Sequence, residues 1–259
     1  MTRDGAPASL PSLPAGLAIH RLADRPDLIG GVHKLGPQVW PEFMMHSACG
    51  GAFYVEMGTT FADCALVVTD SGGQVVCRAL WIPFAWDGAL PLPERGWDWV
   101  SEKGISDRRN GVACNAASAL EIGILPSLRG TGLSQILLAH MRHAAAQTGS
   151  ATLFAPVRPS QKSQFPGESM HAYLARVRED GLPFDAWLRV HVRAGGQILG
   201  ACDQSMIIAG SVDEWQTWTG MSLSQPGAHI VPGALTPVES DGDQAVYTEP
   251  NVWVRHRLD

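Results

Sequence analysis

The sequence predicts an α/β fold of the α+β kind, and three observations carry that reading. One strand–loop–helix unit stands out near the centre, β-rich runs lie on both sides of it, and helix-period runs separate them. The central unit is Leu120-Glu121-Ile122-Gly123-Ile124-Leu125-Pro126-Ser127-Leu128-Arg129-Gly130-Thr131-Gly132-Leu133-Ser134, followed by an apolar-periodic run to Gly149. It reads as a short buried strand, a tight basic and glycine-bearing loop, and a helix whose first turn holds the end of the loop.

Taken in order, residues 1–15 are rich in Pro, Ala and Ser and read as a loose tail. A strand at 17–22 leads through Asp24 into a helix over 26–39, with a second short helix over 40–47. Runs 62–69 and 74–84 are β-rich and joined by Asp70-Ser71-Gly72-Gly73, a hairpin signal. Residues 88–111 are polar and punctuated by Pro and Gly, and read as a loop with one short helix. After the central unit, Leu133, Ile136, Leu137, His140, Met141 and Ala144 recur at helical spacing and give one buried face. A strand at 151–157, a loop with a short helix over 158–183, a helix over 184–194 closed by Gly195-Gly196, and one or two strands over 197–209 complete a core. Runs 230–240 and 244–256 flank Asp241-Gly242 as a terminal hairpin. The expected organisation is therefore a tail (1–15), a core (16–210) and a β-rich extension packed on the core (211–259).

Composition narrows the function. A net charge of −6 gives no electrostatic case for nucleic acid or an anionic membrane. The five cysteines are odd in number, scattered and without a C-x-x-C pair, so they read as reduced thiols of a cytoplasmic protein. No stretch approaches the ~18 apolar residues of a membrane span, and the first residues lack the apolar core of a signal peptide.

The glycines of the central loop matter because backbone N–H groups cradle a phosphate only where no Cβ blocks its approach, and helix N-termini favour anions. Neither a G-x-x-x-x-G-K-[ST] loop nor a dinucleotide fingerprint with its acidic partner is present. Pro126-x-x-Arg129-Gly130-x-Gly132-x-Ser134 after an Ile-rich strand resembles the Q/R-x-x-G-x-G/A acyl-CoA motif of the GNAT superfamily of N-acetyltransferases, here a bacterial-type member, with Ser134 where the family has Gly or Ala. The resemblance is specific over 119–149 and looser over 16–210. It implies a central mixed, largely antiparallel sheet flanked by helices, with acetyl-CoA as acyl donor and no metal. By the same resemblance, Arg129, Gly130, Thr131, Gly132, Leu133 and Ser134 hold the CoA pyrophosphate. The edge Ile122-Gly123-Ile124 pairs with pantetheine and supplies an oxyanion N–H.

Acyl transfer to an amine needs a base for the ammonium, a donor for the oxyanion and a proton for the thiolate. Glu121 is the base candidate, because a carboxylate in an apolar strand is costly unless paired or used, and burial would raise its pKa. The bland reading, that it holds an arginine, stays open. His46 and Glu56 are fallback bases. His191 stands where the family has a Tyr before a glycine–aromatic pair, with Gly196 replacing the aromatic, and is the candidate acid in its protonated form. A helix-capping or core histidine is the alternative. Trp81, Phe84, Trp86, Trp97 and Trp99 are candidates for an apolar acceptor pocket or for core, and Arg158 and Lys162 for contacts with CoA phosphates or an acidic acceptor. The expected activity is transfer of acetyl to the primary amine of a small metabolite by direct attack. A longer acyl-CoA or carrier-protein donor, and a non-catalytic acyl-CoA-binding module, remain alternatives. A homodimer is compatible with the resemblance.

Overall fold

In the computed structural model, residues 10–258 are described. Residues 1–9, most of the expected tail, lie outside them. The elements in chain order are β1 (Ala18–Arg21), α1 (Ile29–Val39), α2 (Ala48–Met57), β2 (Ala65–Thr69), β3 (Val75–Phe84), α3 (Gly96–Arg109), β4 (Ala116–Ile124), α4 (Leu133–Gln147), β5 (Thr152–Val157), α5 (Met170–Leu174), α6 (Ala186–Arg193), β6 (Gln197–Ser211), α7 (Val212–Thr219), β7 (Gly227–His229), β8 (Val238–Ser240) and β9 (Gln244–Arg257). Among the described residues, nine strands form one sheet in the order β1-β2-β3-β4-β5-β9-β8-β7, with β6 on the other edge of β9. Every pairing is antiparallel except β4 with β5. Among the described residues no helix is long and apolar enough to cross a membrane.

The parallel pair decides where a ligand can enter. β4 and β5 pair only through Ala117 with Leu153 and Ser118 with Phe154, then part. Two local features explain the parting. On the β3 side the register slips between Leu80 opposite Glu121 and Trp81 opposite Ala119, so Leu120 is an extra residue and β4 bends there. On the β5 side Pro156 has no N–H to offer a ladder, and it sits past the last β4 pair. The edge of β4 from Ala119 to Ile124 is left without a partner strand among the described residues.

The structure extends the sequence reading in three places. Ala48–Met57 is a helix that begins on Ser47, whose hydroxyl accepts from Gly50 N. The stretch read as a loop with a short helix holds the 14-residue α3. Ser211 and Glu214 form a capping box that starts α7. The segment expected as an extension is part of the sheet itself: β9 pairs with β5 through Thr152–Arg257 to Val157–Val252 and with β6 along most of its length. The ladder with β6 breaks between Cys202 opposite Asn251 and Met206 opposite Glu249, at Pro250, which offers no N–H.

Candidate active site

A cleft of about 940 Å³ opens where β4 and β5 part. Its walls come from β4, the loop after it, the start of α4, the end of β5, α6, the Trp40–Ser47 segment and β9. At one end lies the 129–134 loop. Gly130 and Gly132 have φ of 79° and 84°, the left-handed region that favours glycine, and a Cβ at either would meet no atom within 4 Å. Gly132 is the N-cap of α4, so Leu133 and Ser134 begin the helix with unpaired N–H groups. Among the described residues, the N–H groups of Gly130, Thr131 and Gly132 also find no acceptor. The Thr131 hydroxyl turns back to Leu128 O at 2.7 Å, and the Arg129 guanidinium lies against Ile124 O and Val39 O, both at 3.3 Å. The open backbone donors, the left-handed glycines and the bare strand edge next to them suit an elongated ligand with phosphates at one end.

Further along β4 sits a buried polar cluster. Glu121 Oε1 accepts from Arg78 Nε and Trp40 Nε1, both at 2.8 Å, and Oε2 accepts the Tyr54 hydroxyl. Arg78 Nη1 donates to Val32 O at 2.6 Å, and its guanidinium lies 5.0 Å from the Tyr54 ring centroid. Both members of the ion pair are 1% exposed at the side chain. Burial lowers the Arg78 pKa, but the Glu121 carboxylate outweighs it and the net direction is upward. Burial, reinforced by the same carboxylate, raises Tyr54 well above the usual phenol range, so it keeps its proton. The pair also explains Gly123. Gly123 faces Arg78 across the ladder, and a Cβ there would lie 2.5 Å from Glu121 Oε1 and 3.5 Å from Arg78 Cγ. The close approach at this glycine is that of the ion pair.

A second such cluster lies where β5 ends. Arg158 Nε donates to Glu249 Oε2 at 2.8 Å and Nη2 to Gly233 O at 2.5 Å. Glu249 also accepts from the Tyr247 hydroxyl at 2.8 Å and Asn251 Nδ2 at 3.0 Å. Trp40 links the two clusters: its N–H bonds Glu121, and Arg158 Cζ lies 5.9 Å from its ring centroid.

His191 calls for a correction. It lies in the cleft wall on α6, but it is 2% exposed, with Nδ1 2.9 Å from Nε2 of His256 on β9. Burial, then the neighbouring ring, pushes His191 down to about 3, and burial, then Arg142, pushes His256 down to about 4. Both rings are therefore neutral near pH 7, and a protonated His191 is not the form this environment holds. His191 Nε2 and His256 Nδ1 are buried without partners among the described residues. The glycine that replaces the family aromatic has a local reason: a Cβ on Gly196 would meet His256 Cε1 and His191 O, each at 2.7 Å.

Of the other sequence candidates, His46 pairs with Glu42 and stacks on Trp218, and Glu56 pairs with Arg109; neither borders the cleft. Trp97 lines it, and its indole N–H holds Leu120 O at 3.0 Å, whereas Trp81 and Phe84 are core and Trp86 and Trp99 pack around Phe154 and Phe84. Lys162 is buried and spends its ammonium on Phe165 O and Leu235 O, both at 2.7 Å. Sequence reasoning missed Tyr54, Trp40, Arg78 and Glu249. A charged residue in an otherwise apolar strand, as at Arg78, was the readable signal for one of them.

No family model matches the chain. It is 30% identical over 281 aligned residues to the arginine N-acetyltransferase avaD of Aspergillus versicolor, a match covering 95% of this chain and 96% of that protein. Among solved structures it is similar to the loading GNATL domain of CurA from Lyngbya majuscula (TM-score 0.62, 15% identity, 93% of this chain and 98% of that one). It is also similar to the GphF GNAT-like decarboxylase in complex with isobutyryl-CoA (TM-score 0.53, 16% identity, 94% and 99%). At these identities the structural likeness is one of fold, whereas the curated relative aligns over nearly the whole chain. The sequence motif, the parted β4–β5 pair and that alignment agree: the chain belongs to the GNAT superfamily of acyl-CoA N-acyltransferases.

Proposed function

We propose that the protein transfers an acetyl group from acetyl-CoA to the primary amine of a small metabolite, with arginine the first acceptor to test. The observation that carries this reading is one continuous cleft with unpaired loop N–H groups at one end and a buried carboxylate at the other. The N–H groups of 130–134 hold the pyrophosphate, and the free edge Ile122-Gly123-Ile124 takes the pantetheine amides and offers an N–H to the developing oxyanion. The thioester supplies an activated acyl carbon. Glu121, fixed by Arg78, Tyr54 and Trp40, receives the ammonium and takes up the proton it sheds. Of the three ammonium protons one stays on the product amide, one ends on the released thiol, and one passes through Glu121 to solvent. Neutral, buried His191 leaves protonation of the thiolate to water. That arginine is the acceptor of the avaD relative supports an amino-acid-sized acceptor.

Release of free CoA from acetyl-CoA, followed with a thiol reagent over an amine panel led by arginine, tests the proposal. Turnover with at least one amine well above hydrolysis is expected, with longer acyl-CoA donors slower. Hydrolysis alone with every amine would overturn it.

A further inference from the structure

Each of the two clusters is an arginine–glutamate pair with one arginine nitrogen unused among the described residues: Arg78 Nη2, which is buried, and Nη1 of Arg158, a residue that lines the cleft. Arg78 is closed off, but the Arg158 side chain is 19% exposed, borders the cleft, and leaves Nη1 with no acceptor among the described residues. The rest of that guanidinium is held from two segments. Glu249 on β9 takes Nε, and Gly233 O takes Nη2. The Gly233 loop is itself tied down, since Leu235 N donates to the Tyr247 hydroxyl at 2.8 Å and Leu235 O accepts from Lys162. Glu249 has both oxygens occupied, and the Asn251 that serves one of them is held at Oδ1 by Ser205 at 2.6 Å. An arginine fixed in this way presents its remaining N–H groups without first losing side-chain freedom.

Resting on the acetyl-transfer reading above, we infer that the acceptor is an amino acid and that Arg158 holds its carboxylate while Glu121 receives its amine. Trp40 sets the separation. One indole reaches Glu121 with its N–H and Arg158 with its face, so the negative and positive ends of the acceptor site stand on either side of a single ring. A zwitterion matches both ends. An amine without a carboxylate leaves the Arg158 N–H groups unanswered in a part-buried wall, the situation in which a polar site discriminates most strongly.

The test compares each amino acid with the amine formed by removing its carboxylate: arginine with agmatine, lysine with cadaverine, tyrosine with tyramine. For whichever pair the wild type uses, kcat/KM favours the amino acid by roughly ten- to a hundredfold, the worth of a charge-assisted hydrogen bond. In Arg158→Gln and Arg158→Lys that ratio shrinks, towards one in the glutamine variant, mainly through KM for the amino acid, while calorimetric CoA affinity stays put. Equal use of the two members of a pair by the wild type overturns the inference without any variant. So does a loss of CoA affinity in place of acceptor preference in the variants, which would make Arg158 a phosphate ligand. If no amine is acetylated, the proposed activity has failed by itself, and calorimetry of the same pairs on the CoA-loaded protein decides the inference: binding of the amino acid but not the amine supports it, and equal or no binding overturns it.

Discussion

Two arginine–glutamate pairs border one cleft, and they differ in how far the fold covers the arginine. Arg78 and Glu121 are both 1% exposed, and Glu121 gathers three donors from three elements; Arg158 is 19% exposed, although its partner Glu249 is as buried as Glu121. Removing charges from water is expensive, and hydrogen bonds offset it: they complete the Glu121 carboxylate, whereas Arg78 Nη2 is buried without a partner among the described residues. The sealed pair therefore fixes a carboxylate in position, whereas the open pair holds a guanidinium ready for something else. In the proposed reading, identical chemistry serves positioning in one place and recognition in the other, and access decides which.

The comparison breaks most readily through stability. Arg78→Met leaves Glu121 buried without its counter-ion and should cost about 3–5 kcal/mol in denaturant unfolding, much of it restored in the double variant Arg78→Met/Glu121→Leu. Arg158→Met should cost less, about 1–3 kcal/mol, because Glu249 keeps Tyr247 and Asn251 and the cleft admits water. Equal costs for the two single variants would erase the distinction.

Activity sharpens it. Glu121→Gln keeps the shape of the side chain but removes the negative charge, so turnover should fall about 10²-fold or more while CoA affinity changes little. A variant that turns over within a few-fold of wild type would leave Glu121 with a structural part only.

The third buried pair, His191 with His256, is a contrast because it carries no charge. Its folded-state pKa values, about 3 and about 4, lie below the ordinary value of about 6.5, so the unfolded chain binds protons first. The stability from keeping these rings neutral is complete above pH 6.5 and drains away as pH falls toward 4, by up to about 1.4 kcal/mol per pH unit for each ring. Thermal melts between pH 7.5 and 5 should show this loss, and His191→Phe should flatten it. A wild-type profile flat over that range would mean that the folded rings titrate as those of the unfolded chain do.

The smallest effect expected is at the other end of the cleft. Gly132→Val puts a branched side chain at φ 84° where the loop N–H groups face outward, and CoA affinity by calorimetry should drop about tenfold, on the order of 1.4 kcal/mol. Unchanged affinity would remove the loop from the phosphate site.

The sequence by itself determined the strand–loop–helix unit, because its signals are local: an apolar run, left-handed glycines and an amphipathic period all act within a few residues. The hairpin of β2 and β3 and the Asp185-capped helix were readable for the same reason. The full extents of α2 and α3 were not, nor was α7. Gly50 and Gly51 depress the helix propensity of Ala48–Met57, and α3 buries Asp98, Ser101 and Gly104 on its inner face, which hides its apolar stripe. Gly104 is glycine because a Cβ would lie 2.5 Å from Ile82 Cγ1, a constraint that exists only once the helix is packed on β3. Tertiary structure alone decided the polar clusters. Glu121 meets Tyr54 from 67 residues away and Arg158 meets Glu249 from 91, and His191 is held neutral first by its burial and then by the His256 ring that β9 brings against it. Local sequence sets which backbone forms; desolvation and pairing, which set the charge and the use of a buried side chain, depend on neighbours that only the folded chain supplies.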